Sequence, residues 1–223
     1  MKAVIIDIDG TLTDEHRRLD LAATAIIREL DIPVVLASGN VLCFVKCASK
    51  LMGTSDIMIA ENGGVISMGF DGPIHLSGDR ARCVHVLEML RPHLELEELD
   101  ATERLSEVAV RRNFDIDAAR EVLKGKGVKD VELVDTGFAV HIKSVDVNKG
   151  TALLEVAALM GLDAGDIAAI GDSANDIQML RAAGLGIAVG NAPPALKKAA
   201  DLAVEGRYGV GAIEALEYIL RKK

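Results

Sequence analysis

The chain has 223 residues, half of them hydrophobic and 26% charged, with a formal net charge of −9. That length suits one large domain, or a main domain with a smaller companion, and the acidity excludes strong binding to a nucleic-acid backbone, which needs a basic face. No stretch approaches the ~20 apolar residues of a membrane span, and the N-terminal apolar run is too short for a secretory signal, so a cytoplasmic protein is expected.

Aromatic residues are scarce and Trp is absent, so the core must be built from Val, Ile, Leu and Ala, as buried parallel sheets are. The three cysteines, Cys43, Cys47 and Cys83, are odd in number and contain no Cys-x-x-Cys pair, which argues against a disulfide framework. The spacing of Cys43 and Cys47 fits two small core residues on one helix face.

In chain order, residues 2–7 end an apolar, β-branched run in Asp7 and predict a strand. Residues 20–30 predict a helix capped by Asp20, with Leu21, Ala25 and Ile26 on its packed face. A strand over 33–38, a helix over 40–52 stopped by Gly53, and a strand over 56–60 follow. This alternation predicts a parallel sheet with helices on both faces. At Gly63-Gly64 the rhythm changes. Residues 65–68 and 74–76 predict a hairpin, 79–90 a helix, 107–112 a strand, 115–124 a helix, and 131–142 a second hairpin. The first rhythm resumes at Asn148 with helices over 149–160, 176–183, 194–200 and 211–221, and strands over 167–171, 185–189 and 202–204. The expected architecture is α/β: a Rossmann-like parallel sheet core over residues 1–64 and 146–223, with an α+β cap, residues 65–145, inserted into it.

Ligands of such a sheet bind beyond the C-terminal strand edges. The first edge carries Asp7 and Asp9, the second Ser38, Gly39 and Asn40, the third Glu61 and Asn62. The strand after the insertion carries Asp172, Ser173, Asn175 and Asp176, and Lys149 opens the helix before it. Two carboxylates at one edge repel each other and lose hydration, which calls for a hard, oxygen-bound cation such as Mg²⁺. A Lys near the positive end of a helix needs an anion or acid beside it.

The set resembles the haloacid-dehalogenase-like phosphohydrolases over the whole chain. Four motifs match in order: Asp7-Ile8-Asp9-Gly10-Thr11, Ser38 in LASGN, Lys149 in NKG, and Gly171-Asp172-Ser173-Ala174-Asn175-Asp176. The resemblance implies Asp7 as nucleophile and Asp9 as acid and base, with Ser38, Gly39, Asn40 and Lys149 around the phosphoryl group. It also implies Mg²⁺ held by Asp7, the main-chain carbonyl of Asp9 and Asp172, with Asp176 either a further direct ligand or an acid behind the ligands. Asp at position 9, where the superfamily's pumps carry Thr, implies a hydrolase or mutase.

Within the superfamily, LASGN, ENGG, DTGFAVHIK and GDSANDIQML look most like the archaeal phosphoglycolate phosphatases. The implied reaction is hydrolysis of 2-phosphoglycolate to glycolate and phosphate through an aspartyl-phosphate. The implied partner is therefore a small phosphorylated metabolite, with a homodimer as the assembly to test. A substrate carboxylate calls for a cap cation, and Arg104, Arg111, Arg112 and Lys143 are the candidates. Two alternatives stay open: a sugar-phosphate phosphatase or phosphomutase on the same core, and a non-enzymatic phospho-acceptor module. Against the latter, the third strand ends in Glu61-Asn62 where a receiver would carry its acceptor Asp.

Overall fold

A computed structural model describes residues 1–221; residues 222 and 223, the end of the expected segment 146–223, lie outside the described residues. The chain opens with β1 (Ala3–Asp7), α1 (Leu21–Glu29), β2 (Val34–Ala37), α2 (Leu42–Met52) and β3 (Ile57–Ala60). Next come β4 (Val65–Met68), β5 (Ile74–Leu76), α3 (Arg80–Leu90), β6 (Glu98–Leu99), β7 (Val108–Arg111), α4 (Ile116–Gly125), β8 (Val131–Asp135) and β9 (Ala139–Ser144). The last part holds α5 (Lys149–Leu159), β10 (Ile167–Gly171), α6 (Ile177–Ala182), β11 (Leu185–Ala188), α7 (Pro194–Ala199), β12 (Leu202–Ala203) and α8, described over Tyr208–Arg221.

The strands form an eight-stranded sheet, β12-β11-β10-β1-β2-β3-β4-β5, and a four-stranded sheet, β6-β7-β9-β8. Strands β12 to β3 of the large sheet are parallel, as helical crossovers require. The chain leaves β1 toward β2 on one side and returns to β10 on the other, so a crevice opens at the C-terminal end of β1.

Period-2 alternation assigns the two faces of the large sheet. On β1, Val4 and Ile6 pack with α1, α2 and α8, while Ala3 and Ile5 pack with α5, α6 and α7. A third cluster joins Cys83, Val86 and Leu87 of α3 and Leu123 of α4 to Val110, Val140 and Ile142 of the small sheet. Each fully buried Ile or Leu contributes about 1.5–3 kcal/mol.

Three expectations are corrected. The hairpin β4–β5, expected in the cap, extends the large sheet: β4 pairs antiparallel with β3, from Ile57↔Met68 to Ala60↔Val65. Only residues 61–64, including the turn Glu61–Gly63, separate β3 from β4, too short for anything but an antiparallel return. Helix α1 is capped by Asp20 as expected, but the face it packs against α8 and β1 is that of Ala23, Thr24 and Ile27, and Leu21 is exposed. Cys43 and Cys47 are exposed, because α2 turns Leu42, Val45, Ser49 and Met52 inward.

Candidate active site

The crevice collects residues from four strand ends. Asp7 is the last residue of β1 and is buried. Lys149 begins α5, where Asn148 caps the helix by accepting from the N–H groups of Gly150 and Thr151. The Lys149 side chain is fully buried and its Nζ donates to Asp7 Oδ1 at 2.5 Å and Asp176 Oδ1 at 2.7 Å. The lysine expected near an anion thus bridges two acids 142 and 27 residues away. Burial works against its charge, but Asp176 and Asp7 outweigh burial and raise its pKa.

Both oxygens of Asp176 are hydrogen-bonded. Its Oδ2 accepts from the N–H groups of Asp172 at 3.1 Å and Ser173 at 3.0 Å, which shapes the loop after β10. Asp7 Oδ2 and Asp172 Oδ1 are buried with no hydrogen-bond partner among the described residues. Ligand atoms of Asp7, Asp172 and Asp176 lie within 4.8 Å of one another. Three carboxylates against one ammonium leave the cluster negative. Burial first, then Asp176, pushes the Asp172 carboxyl up to about 7. Burial likewise raises Asp7 well above the usual carboxylate range, Lys149 opposing and Asp176 adding. Orphaned hard oxygens in an uncompensated acidic cluster fit a hard divalent cation. Gly10, at φ +86°, keeps the first loop against this cluster, because a Cβ there would collide with the Asp172 carboxylate.

The Asp9 side chain stands outside the cluster. Its Oδ2 accepts from Asn40 Nδ2 at 2.7 Å, and its Oδ1 lies 3.5 Å from Arg17 Nε. Ser38 Oγ accepts from the Asn40 N–H at 3.0 Å, so β2 and its loop present Ser38, Gly39 and Asn40 together. These groups line one side of a cavity of about 450 Å³, whose other side is lined by Arg104, Thr136, Phe138 and His141.

Of the four cap cations, Arg104 alone lines the cavity. Arg111 pairs with Glu97 at 2.6 Å, Arg112 with Asp135 at 2.8 Å, and Lys143 with Glu132 at 2.6 Å and the Val147 carbonyl, all elsewhere. The Arg104 guanidinium donates to Glu107 and, at 3.2 Å, to the Gly39 carbonyl.

Glu61 and Asn62, expected at the third strand edge, take part in the site, and Glu107, His141 and Asn191, which sequence reasoning did not single out, join them. Glu61, fully buried, accepts from the N–H groups of Leu105 at 2.9 Å and Ser106 at 2.9 Å and from the Ser106 hydroxyl at 3.1 Å, tying the strand-three loop to the approach of β7. Asn62 donates to Glu107 Oε2 at 3.1 Å and accepts from Asn175 at 3.0 Å. His141 Nδ1 sits 2.6 Å from Glu107 Oε1. Asn191 donates to the Gly10 carbonyl at 2.9 Å and to Asp172 at 3.2 Å. Glu61 and Asn62 were legible as an acid and an amide at a strand edge; Glu107, His141 and Asn191 stand in no local motif that points to them.

The chain is 49% identical to a phosphoglycolate phosphatase of Archaeoglobus fulgidus, over 98% of this chain and 96% of that relative. It is 48% identical to one of Methanococcoides burtonii, over 99% and 97%. In fold it matches a crystal structure of Thermoplasma acidophilum 0175 with TM-score 0.87 and 24% identity, covering 100% of this chain and 97% of that one. The model of the haloacid dehalogenase-like hydrolases matches residues 4–93 and 92–211. With that match spanning nearly every element, and with relatives of near-half identity over the full length, the chain belongs to the haloacid dehalogenase-like hydrolase family.

Proposed function

We propose that the protein is a Mg²⁺-dependent phosphatase of small phosphomonoesters whose substrate is 2-phosphoglycolate. The observation that carries the chemistry is the buried Asp7–Lys149–Asp176 bridge beside the partnerless oxygens of Asp7 and Asp172. The substrate assignment rests on the relatives named phosphoglycolate phosphatase and on the cationic cap side of the cavity.

The Asp7 carboxylate, aimed by the rigid end of β1 and held by Lys149, attacks phosphorus. An Asp7 acyl phosphate forms, the bond from phosphorus to the substrate oxygen breaks, and that oxygen takes a proton from the Asp9 carboxyl. Asp9 then removes a proton from water, which attacks phosphorus and releases inorganic phosphate and free Asp7. Lys149, Ser38 and the loop N–H groups stabilise charge on the phosphoryl oxygens. Asn40 keeps Asp9 directed into the cavity through the 2.7 Å hydrogen bond. Asp7, the Asp9 carbonyl and Asp172 would hold Mg²⁺, with Asp176 positioning the Asp172 loop; the ion supplies positive charge against the acids and the phosphate.

The test is turnover of a panel of phosphorylated metabolites with Mg²⁺ and with EDTA. Selective hydrolysis of 2-phosphoglycolate in Mg²⁺ alone is expected. Preference for a sugar phosphate, or a requirement for a bisphosphate activator, would move the substrate to the alternative classes.

A further inference from the structure

The cation expected for the substrate carboxylate was an arginine or lysine of the cap, yet Arg104, the one that reaches the cavity, is already engaged. One of its terminal nitrogens serves both Glu107 and the Gly39 carbonyl, and the other lies 3.8 Å from Asp100 Oδ2. Those contacts tie the segment before β7 to the loop after β2. His141 differs. It is buried on β9, it lines the cavity, and its ring has one committed nitrogen and one almost free. Nδ1 lies 2.6 Å from Glu107 Oε1 and so carries a proton toward that carboxylate. Nε2 has only the Thr136 hydroxyl nearby, at 3.5 Å, a long and weak contact.

Glu107 is a buried carboxylate shared by Arg104, His141 and Asn62. Burial pushes it up, but His141 and then Arg104 outweigh burial and hold it below the ordinary range. One negative charge thus faces Arg104 and an imidazole. With a second proton on Nε2 the trio is left with one positive charge on the cavity side, where an anion completes it. Asn62 fixes where that charge stands, because the same amide that donates to Glu107 accepts from Asn175 in the loop carrying Asp172 and Asp176.

We propose that His141, as an imidazolium oriented by Glu107, donates Nε2–H to the substrate carboxylate and is the residue that sets preference for carboxylated phosphomonoesters. This rests on the phosphatase reading above for the phosphate end of the ligand. Arg104 and Glu107 are positioning residues: they act through His141 and the Gly39 loop.

The experiment is isothermal titration of the full-length chain in Mg²⁺ with 3-phosphonopropionate and with propylphosphonate. The first replaces the ester oxygen of 2-phosphoglycolate by a methylene; the second further replaces the carboxylate by a methyl. Wild type should bind 3-phosphonopropionate at least about tenfold more tightly, the usual worth of one charge-assisted contact. In His141→Gln and His141→Asn the ratio should fall to within about threefold, with propylphosphonate affinity changed by less than about twofold. Histidine ¹⁵N spectra of wild type add a readout that needs no variant. 3-Phosphonopropionate should move the His141 ring to the doubly protonated pattern, and propylphosphonate should not. An unchanged ratio in a folded variant, a wild type without preference, or a ring indifferent to the carboxylate would each overturn the assignment. Hydrolysis is not needed for any of these readings, so failure of the phosphatase assay is seen separately.

Discussion

At the scale of single residues, the site is an exercise in unbalanced charge. Lys149 satisfies one oxygen each of Asp7 and Asp176, and among the described residues buried Asp7 Oδ2 and Asp172 Oδ1 have no partner. Asp172→Ala removes one of the two free oxygens, so the Mg²⁺ concentration for half-maximal activity should rise at least about tenfold, as measured by metal titration after EDTA treatment. An unchanged metal requirement would remove Asp172 from the ligand set. Asp7, Asp9, Ser38, Lys149, Asp172 and Asp176 were legible as candidates because each sits at a strand edge or helix start within a short local motif. His141 and Glu107 were not. Their meaning comes from a hydrogen bond across 34 residues, and a lone His or Glu on an alternating strand looks like any other.

At the scale of elements, the two sheets are joined by polar contacts that start from the turn after β3. Glu61 and Asn62, at φ 49° and 54°, hold the left-handed region that turns both side chains toward the approach of β7. Removing the Glu61 carboxylate strands the N–H groups of Leu105 and Ser106. Glu61→Ala should therefore cost about 2–4 kcal/mol of unfolding free energy, measured by denaturant titration, with Glu61→Gln costing less. A loss below about 0.5 kcal/mol would mean that water replaces the carboxylate freely. Glu107 gives the acid limb. Its carboxyl is held below the ordinary value in the fold, so its stabilisation is present above the unfolded pKa and is lost as pH falls through the folded one. Melting temperature measured between about pH 5 and pH 3 should fall more steeply in wild type than in Glu107→Gln. Parallel curves would contradict this. The βα alternation was readable because periodicity reports which face of an element is apolar. It does not report which sheet a hairpin joins, so residues 65–76 were assigned to the cap while β4 pairs with β3. It also did not report which face of α1 meets the sheet, so Leu21 was expected inside where Ala23 and Ile27 pack.

At the scale of the whole molecule, the proposed nucleophile, acid-base and metal ligands lie on the large sheet, and the proposed carboxylate contact lies on the small one. Chemistry and selectivity thereby reside on different segments, and the cavity forms where they face each other. Arg17, on the loop after β1, lies 3.5 Å from Asp9 and stacks 4.4 Å over the ring of Phe138, at the tip of the β8–β9 hairpin. Such a contact contributes about 0.5–1 kcal/mol at an exposed position. Phe138→Ala should accordingly raise KM for 2-phosphoglycolate about two- to fivefold and leave kcat nearly constant. A matched fall in kcat would show instead that Phe138 acts on the reacting geometry.

Covalent capture at Asp7 is the most direct measurement. The enzyme would be quenched in acid during turnover of 2-phosphoglycolate, reduced with borohydride to convert an aspartyl-phosphate to homoserine, and mapped by peptide mass. Conversion is expected at Asp7 alone, in wild type and not in Asp7→Asn, with the variant folded and its turnover below about 1% because several kcal/mol of transition-state stabilisation are lost. Steady hydrolysis with no conversion at Asp7, or with conversion at another acid, would contradict the mechanism.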